Sequence, residues 1–170
     1  MISFDVFKDG KRNALTMSYD DGTIYDIKLI EIFDKYGIRS TFHLNSGLLG
    51  WSRVIKKEDV AGLYKNHEVS VHGMLHKSLA TLPLQNIITE IFEDKRELEK
   101  LCGYPVRGMS FANGSYNHDV ISALKFCGIE YARTIKATGS FGLPENFLEW
   151  HPTCHHSDAL ETGRRFLELK

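Results

Sequence analysis

Hydrophobic and polar positions change period repeatedly along the chain. "NALTMSY" (13–19) reads as a short strand, and "TIYDIKLIEIFDKYG" (23–37) then sets Ile27, Ile30 and Phe33, and beside them Leu29, Ile32 and Tyr36, at helical spacing. Gly37 is the natural stop for that helix. "IRSTFHL" (38–44) predicts a second strand, "KKEDVAGLYKNH" (56–67) a helix, and "EVSVH" (68–72) a third strand with β-branched residues in alternation. "LQNIITEIFEDKRELEKLCG" (84–103) is the clearest helix, with Ile87, Ile88, Ile91, Phe92, Leu98 and Leu101 on one face and charges on the other. The alternation continues through "VRGMSF", the helix "HDVISALKFCG" and the strand "IEYART", and "FLEWHP" (147–152) predicts a sixth strand before a last helix, "ALETGRRFLELK". Strands alternating with helices predict an α/β fold whose parallel sheet is either open or closed into a barrel, with function at the carboxyl ends of its strands.

Composition narrows this picture. With 170 residues, 42% of them hydrophobic, the chain is long enough for one buried core, and no repeat or linker divides it. A net charge of -1, with both signs interspersed, gives no general attraction to nucleic acid or to an anionic membrane, so neither is expected as a partner. The start "MISFDVFKDGKR" lacks the features of a secretory signal and there is no long apolar span, from which a soluble cytoplasmic protein is expected. Cys102, Cys127 and Cys154 are odd in number and widely spaced, a pattern that fits a reducing compartment rather than a disulfide framework.

Candidate chemistry lies at the strand ends. Asp20 and Asp21 fall where the first strand stops, and successive side chains leaving a strand diverge, so one carboxylate can hold a cation while the other faces a substrate. Taken alone, the pair would also serve to cap the following helix. His72 and His76 lie four residues apart after the third strand, which brings two imidazoles to one side of a single turn. HxxxH by itself is a weak signal. A carboxylate with two imidazoles, however, is a three-ligand set that leaves positions on zinc or a similar ion free for water and substrate.

"TMSYDDG", "SVHGMLH" and, less closely, "SFANGSYN" resemble the first three motifs of the polysaccharide deacetylases, carbohydrate esterase family four, in the family's order and intervals. The resemblance covers most of the chain. It implies a single domain over residues 1–170 with a distorted (β/α) barrel, incomplete here because nothing like the family's last strand follows. It also implies that Asp21, His72 and His76 bind a divalent metal, that Asp20 is the catalytic base, and that a backbone amide near Asn113 stabilises the oxyanion. The metal expected is zinc, with cobalt, nickel, manganese or iron as alternatives. The implied reaction removes an acetyl group from an N-acetylated sugar or related amide: the metal polarises the carbonyl and acidifies water, and the aspartate takes the proton. The alternative is a metal- or sugar-binding module of the same fold without turnover.

The sequence departs from the family in two places. The arginine of the third motif is not matched, and Arg107 lies three positions too early. The family's terminal histidine, the general acid, has no counterpart, so the chain is either truncated or uses another histidine; "WHPTCHH" offers His151, His155 and His156, of which His155 and His156 are the candidate acids. A missing last strand would leave an open sheet edge, which a homodimer could close. His43 is read as structural, Trp51 and Trp150 as packing residues that could also stack on sugar, and "EDKRELEK" as the solvent face of its helix.

Overall fold

A computed structural model describes residues 6–169. Five parallel strands lie in sequence order in one sheet: β1 (Met17–Asp20), β2 (Ser40–Leu44), β3 (Glu68–Val71), β4 (Gly108–Ser110) and β5 (Tyr131–Arg133). Between them run α1 (Tyr25–Tyr36), the one-turn α2 (Val60–Leu63), α3 (Leu84–Cys102) and α4 (His118–Phe126), and α5 (Ala159–Leu167) follows β5. The sheet curls into half a barrel, so the expected distorted, incomplete (β/α) barrel is what the chain forms.

The two faces of this sheet differ sharply. Phe42, Leu44, Val69, Val71, Met109, Phe111 and Ala132 are buried, and they join Ile30 and Phe33 of α1, Ile87, Ile91 and Leu98 of α3, and Val120 and Leu124 of α4 in one core. The alternate positions, Ser18, Asp20, Thr41, His43, Glu68, Ser70, Ser110, Tyr131 and Arg133, are polar. They bond to each other across the strands: Thr41 donates to Glu68 at 2.7 Å, Ser70 pairs with the Tyr131 hydroxyl at 3.1 Å, and Arg133 Nε donates to Ser18 at 2.7 Å. Gly108 completes this face, because a Cβ there would lie 2.0 Å from Tyr131 Cζ. A concave face that satisfies its own polar groups does not need further strands to shield it from water.

Several sequence expectations change. The sixth strand reduces to a single bridge, Arg133 with Trp150, since Phe147–Glu149 forms a 3-10 turn and Pro152 offers no N–H to extend a ladder. The helix expected over 56–67 is a 3-10 turn plus α2. On α1, Ile27 and Ile32 stay exposed, as does Phe92 on α3, while Glu90 and Asp94 of α3 are buried. Asp94 therefore does not belong to the wet face read from "EDKRELEK". The last helix covers Ala159–Leu167; Lys170 and residues 1–5 lie outside the described residues. No described helix is long and apolar enough to cross a membrane.

Candidate metal centre

Because the strands are parallel, the loops that follow β1, β2 and β3 meet at one end of the sheet. The chain leaves β1 through Asp21, whose φ of 76° is left-handed, and Asp21 N–H donates to His43 O at 3.0 Å. An aspartate tolerates that conformation better than a bulkier residue, and strain of this kind persists where surrounding structure enforces it. The bend lets Asp20 keep its strand direction while Asp21 turns toward the next two loops.

The loop from His72 to His76 is held at nearly every residue. His72 N–H donates to Leu44 O at 3.0 Å and to Asp94 Oδ2 at 3.1 Å, Met74 N–H to Glu90 O at 3.1 Å, and Leu75 N–H to Glu90 Oε2 at 2.9 Å. Asn45 Nδ2 donates to His72 O at 3.0 Å, and Gly47 N–H to Met74 O at 3.1 Å. Gly47 permits that approach, because a Cβ there would lie 2.7 Å from Met74 O. The buried carboxylate of Asp94 also accepts Ser46 N–H at 2.7 Å, so α3 fixes the β2 and β3 loops together. Burial pushes the Asp94 pKa up to about 7 against those hydrogen bonds.

His72 Nδ1 lies 3.0 Å from Ser110 O, which can only accept, so Nδ1 carries the proton and Nε2 presents its lone pair. That lone pair faces Asp21 Oδ1 at 3.5 Å, and His76 Nε2 faces the same oxygen at 3.4 Å. Ligand atoms sharing a tetrahedral zinc at the usual bond lengths sit about 3.4 Å apart. All three groups offer one ligand atom within 4.8 Å of the others. Burial lowers the His72 pKa and keeps the ring neutral, the form that ligates. The donor set and its spacing thus fit one divalent ion with coordination positions left over.

Asp20 sits beside this trio. Its Oδ1 accepts from Ser110 Oγ at 2.9 Å and from Arg133 Nη2, while Oδ2 takes part in no hydrogen bond among the described residues. Burial acts to raise its pKa, but His43, His72 and Arg133 outweigh that and hold the carboxyl well below the usual carboxylate range. His43 is itself pushed down to about 3 by burial and is neutral near pH 7, which leaves Arg133 as the permanent cation. His43 bonds to Ser18 Oγ at 3.0 Å and Val71 O at 3.3 Å, consistent with the structural role read from sequence.

The remaining candidates lie apart. Arg107 is exposed and pairs with Glu130, and the guanidinium at Asp20 comes from Arg133 instead. No motif flagged Arg133: it is one residue on a strand 113 positions from Asp20. Asn113 adopts a φ of 58° in the turn after β4 and donates its side-chain amide to Ser78 Oγ at 3.1 Å; the turn is closed by Gly114 and Ser115 N–H, so its own N–H is not used there. His151 bonds to Thr134 Oγ1 at 2.6 Å. His155 and His156 are exposed at the approach to α5, with His155 bonded to Ser157 at 3.0 Å and its ring 4.0 Å from that of His156. Trp51 is 67% exposed, which overturns its reading as a packing residue; Trp150 packs on Tyr131 and Phe147.

Comparison with known proteins follows the same lines. A chitin deacetylase from Pestalotiopsis sp is 25% identical over 96 residues, 54% of this chain and 31% of that protein. A polysaccharide deacetylase from Bacillus cereus superposes with a TM-score of 0.79 at 18% identity, covering 98% of this chain and 56% of the other. A deacetylase from Streptococcus pyogenes in complex with acetate gives 0.73 at 18% identity over 85% and 68%. A Bacillus anthracis protein of the same fold, described as a family-four pseudoenzyme, gives 0.63 at 19% identity over 92% and 61%. This chain thus spans about a third of the curated relative's length. The sequence profile described as polysaccharide deacetylase matches residues 7–132, most of the chain, including Asp21, His72 and His76. The chain belongs to the polysaccharide deacetylase family.

Proposed function

We propose that this protein is a metal-dependent hydrolase that removes an acetyl group from an N-acetylated sugar or related amide. The observation that carries the reading is the convergence of Asp21 Oδ1, His72 Nε2 and His76 Nε2 beside an aspartate, Asp20, with one carboxylate oxygen uncommitted. A divalent ion held there, zinc first among those that suit nitrogen and oxygen ligands, would polarise the acetyl carbonyl and acidify water. Asp20 Oδ2 would take the proton from that water, with Oδ1 anchored by Ser110 and Arg133 so that the carboxylate keeps its aim. The N–H of Asn113, left-handed at the mouth of β4, is the backbone donor best placed by sequence to meet the developing oxyanion.

A second reading, a module that holds metal and sugar without turnover, is favoured by one fact: His155 bonds to Ser157 within its own exposed turn, with the His156 ring against it, and neither ring is hydrogen-bonded to a residue of the Asp20 site among the described residues. Loss of a general acid costs about 10²- to 10⁴-fold, which slows a hydrolase without abolishing it. Acetate release from N-acetylated chitooligosaccharides, with and without added zinc, separates the readings. Turnover that needs metal and disappears in Asp20→Asn supports the hydrolase; equal inertness of both proteins with metal bound supports the module.

A further inference from the structure

Gly108 and Ser110 are the two β4 residues on the concave side of the sheet, and both are small. In register beside them on β5 stand two large residues, Tyr131 and Arg133. The Tyr131 hydroxyl passes over Gly108 to Ser70 of β3, and Arg133 reaches Ser18 and Asp20 of β1. Ser110 is 1% exposed, and its hydroxyl meets two groups of the candidate site at once: Asp20 Oδ1 at 2.9 Å and His72 Nδ1 at 2.7 Å. The chemistry of the partners assigns the proton in each bond. Asp20 is an ionised carboxylate and only accepts, so the Ser110 hydroxyl donates to Oδ1. Ser110 Oγ is then left to accept, and it takes the His72 Nδ1 proton, shared with Ser110 O at 3.0 Å. The other side of Asp20 is ordered in the same way. Val71 O takes the His43 Nδ1 proton, so His43 Nε2 accepts from Ser18 Oγ; that oxygen accepts in turn from Arg133 Nε, and Arg133 Nη2 donates to Asp20 Oδ1. Among the described residues this run leaves two acceptor atoms without a donor: His72 Nε2, which faces Asp21 Oδ1 at 3.5 Å, and Asp20 Oδ2.

We infer that Ser110 is a positioning residue that joins the metal centre to the base, its one hydroxyl setting the ring of His72 and the aim of Asp20 together. The inference rests on the deacetylase reading for the roles of those two residues and adds the link between them. When His72 ligates a cation through Nε2, its Nδ1–H becomes a stronger donor, and hydrogen bonds in a chain reinforce one another. The hold on Asp20 Oδ1 then tightens while Oδ2 stays open for the proton. Loss of the hydroxyl alone leaves the Ser110 carbonyl to hold the ring, so His72 remains a ligand and only the aim of the base is lost.

Comparison of the native protein with Ser110→Ala and Ser110→Thr tests the link. Ser110→Ala should still bind one zinc ion per chain, while kcat for acetate release from N-acetylated chitooligosaccharides falls roughly 10- to 100-fold at unchanged KM. Ser110→Thr keeps the hydroxyl and should recover most of that loss. In the metal-free protein, nuclear magnetic resonance with labelled histidine should show the His72 Nδ1 proton shifted in Ser110→Ala and returned toward its native position in Ser110→Thr. Either a native kcat or an unmoved Nδ1 proton in Ser110→Ala overturns the link. So does a Ser110→Ala protein that loses zinc, KM and kcat together and is not recovered by threonine, because that is the behaviour of a residue that only packs. If the native protein itself releases no acetate, the deacetylase reading falls, and the Nδ1 proton alone decides whether the hydroxyl holds the ring.

Discussion

The loops after β1, β2 and β3 are bonded to one another and to α3, whereas the segment after β5 is bonded mainly to itself. Asp94, Glu90 and Asn45 tie the first group so that the loop carrying both candidate histidine ligands is held through the backbone of His72 and Leu75. After Arg133 the chain meets the sheet at one bridge to Trp150, then runs through turns such as Thr138 N–H to Pro152 O at 2.9 Å. The difference teaches where precision is needed. Three ligands must converge to within a few tenths of an ångström to share an ion, and buried hydrogen-bonded carboxylates supply that rigidity. Arg133, the residue the last strand contributes to the site, acts through a charge-assisted hydrogen bond on Asp20, which needs direction but no such convergence.

The largest effects are expected in the tied half. His72→Ala or Asp21→Ala should lower divalent-metal affinity by at least about 100-fold in calorimetric titration, beyond what loss of a supporting residue costs. Asp20→Asn should retain one ion per chain and lose about 10²- to 10⁴-fold in acetate release. Arg133→Met crosses the boundary between the halves: it should leave metal stoichiometry intact, slow acetate release, and remove an acid-sensitive contribution to stability. The folded pKa of Asp20 is depressed from 3.8, so this contribution is present above about that pH and fades as pH falls through the folded value. The stability gap between native protein and variant should therefore close below pH 4 in urea unfolding.

Asp26 shows the opposite sign and a smaller effect. Burial raises its pKa from 3.8 to about 6 despite the 2.7 Å hydrogen bond from Tyr64, so its stabilising contribution is full below about 3.8 and lost as pH rises through about 6. Asp26→Asn should flatten the fall in Tm across that window. The smallest effects belong to the tail: His155→Ala and His156→Ala should change acetate release by no more than about a factor of two to three, as exposed substitutions do. A larger loss would return one of them to the role of general acid and erase the contrast between the halves.

The candidate ligand set was legible because each of its parts is local: two adjacent aspartates ending a strand, and two histidines four residues apart in the loop after β3. Arg133 was not, since a lone arginine gains its meaning only when β5 is laid across the sheet from β1; proximity to the third motif drew attention to Arg107, which instead pairs with Glu130 at the surface. Asp94 was hidden for a related reason. Its neighbours Glu93, Lys95, Arg96 and Glu97 are charged, and one carboxylate turned inward does not alter the amphipathic pattern. The alternation in "STFHL" and "EVSVH" did contain the polar concave face, but its meaning depends on which side the helices cover. "FLEWHP" failed as a strand because an apolar run guarantees neither extended backbone nor a free N–H at each position.

Titration of the metal-free protein with cobalt(II), followed by acetate, tests the central claim most directly. Asp21, His72 and His76 should give visible absorption that saturates at one ion per chain, and acetate entering an open position should shift those bands; His72→Ala should give neither. No one-to-one absorption, or bands that acetate leaves unmoved, would contradict a three-ligand centre built for chemistry.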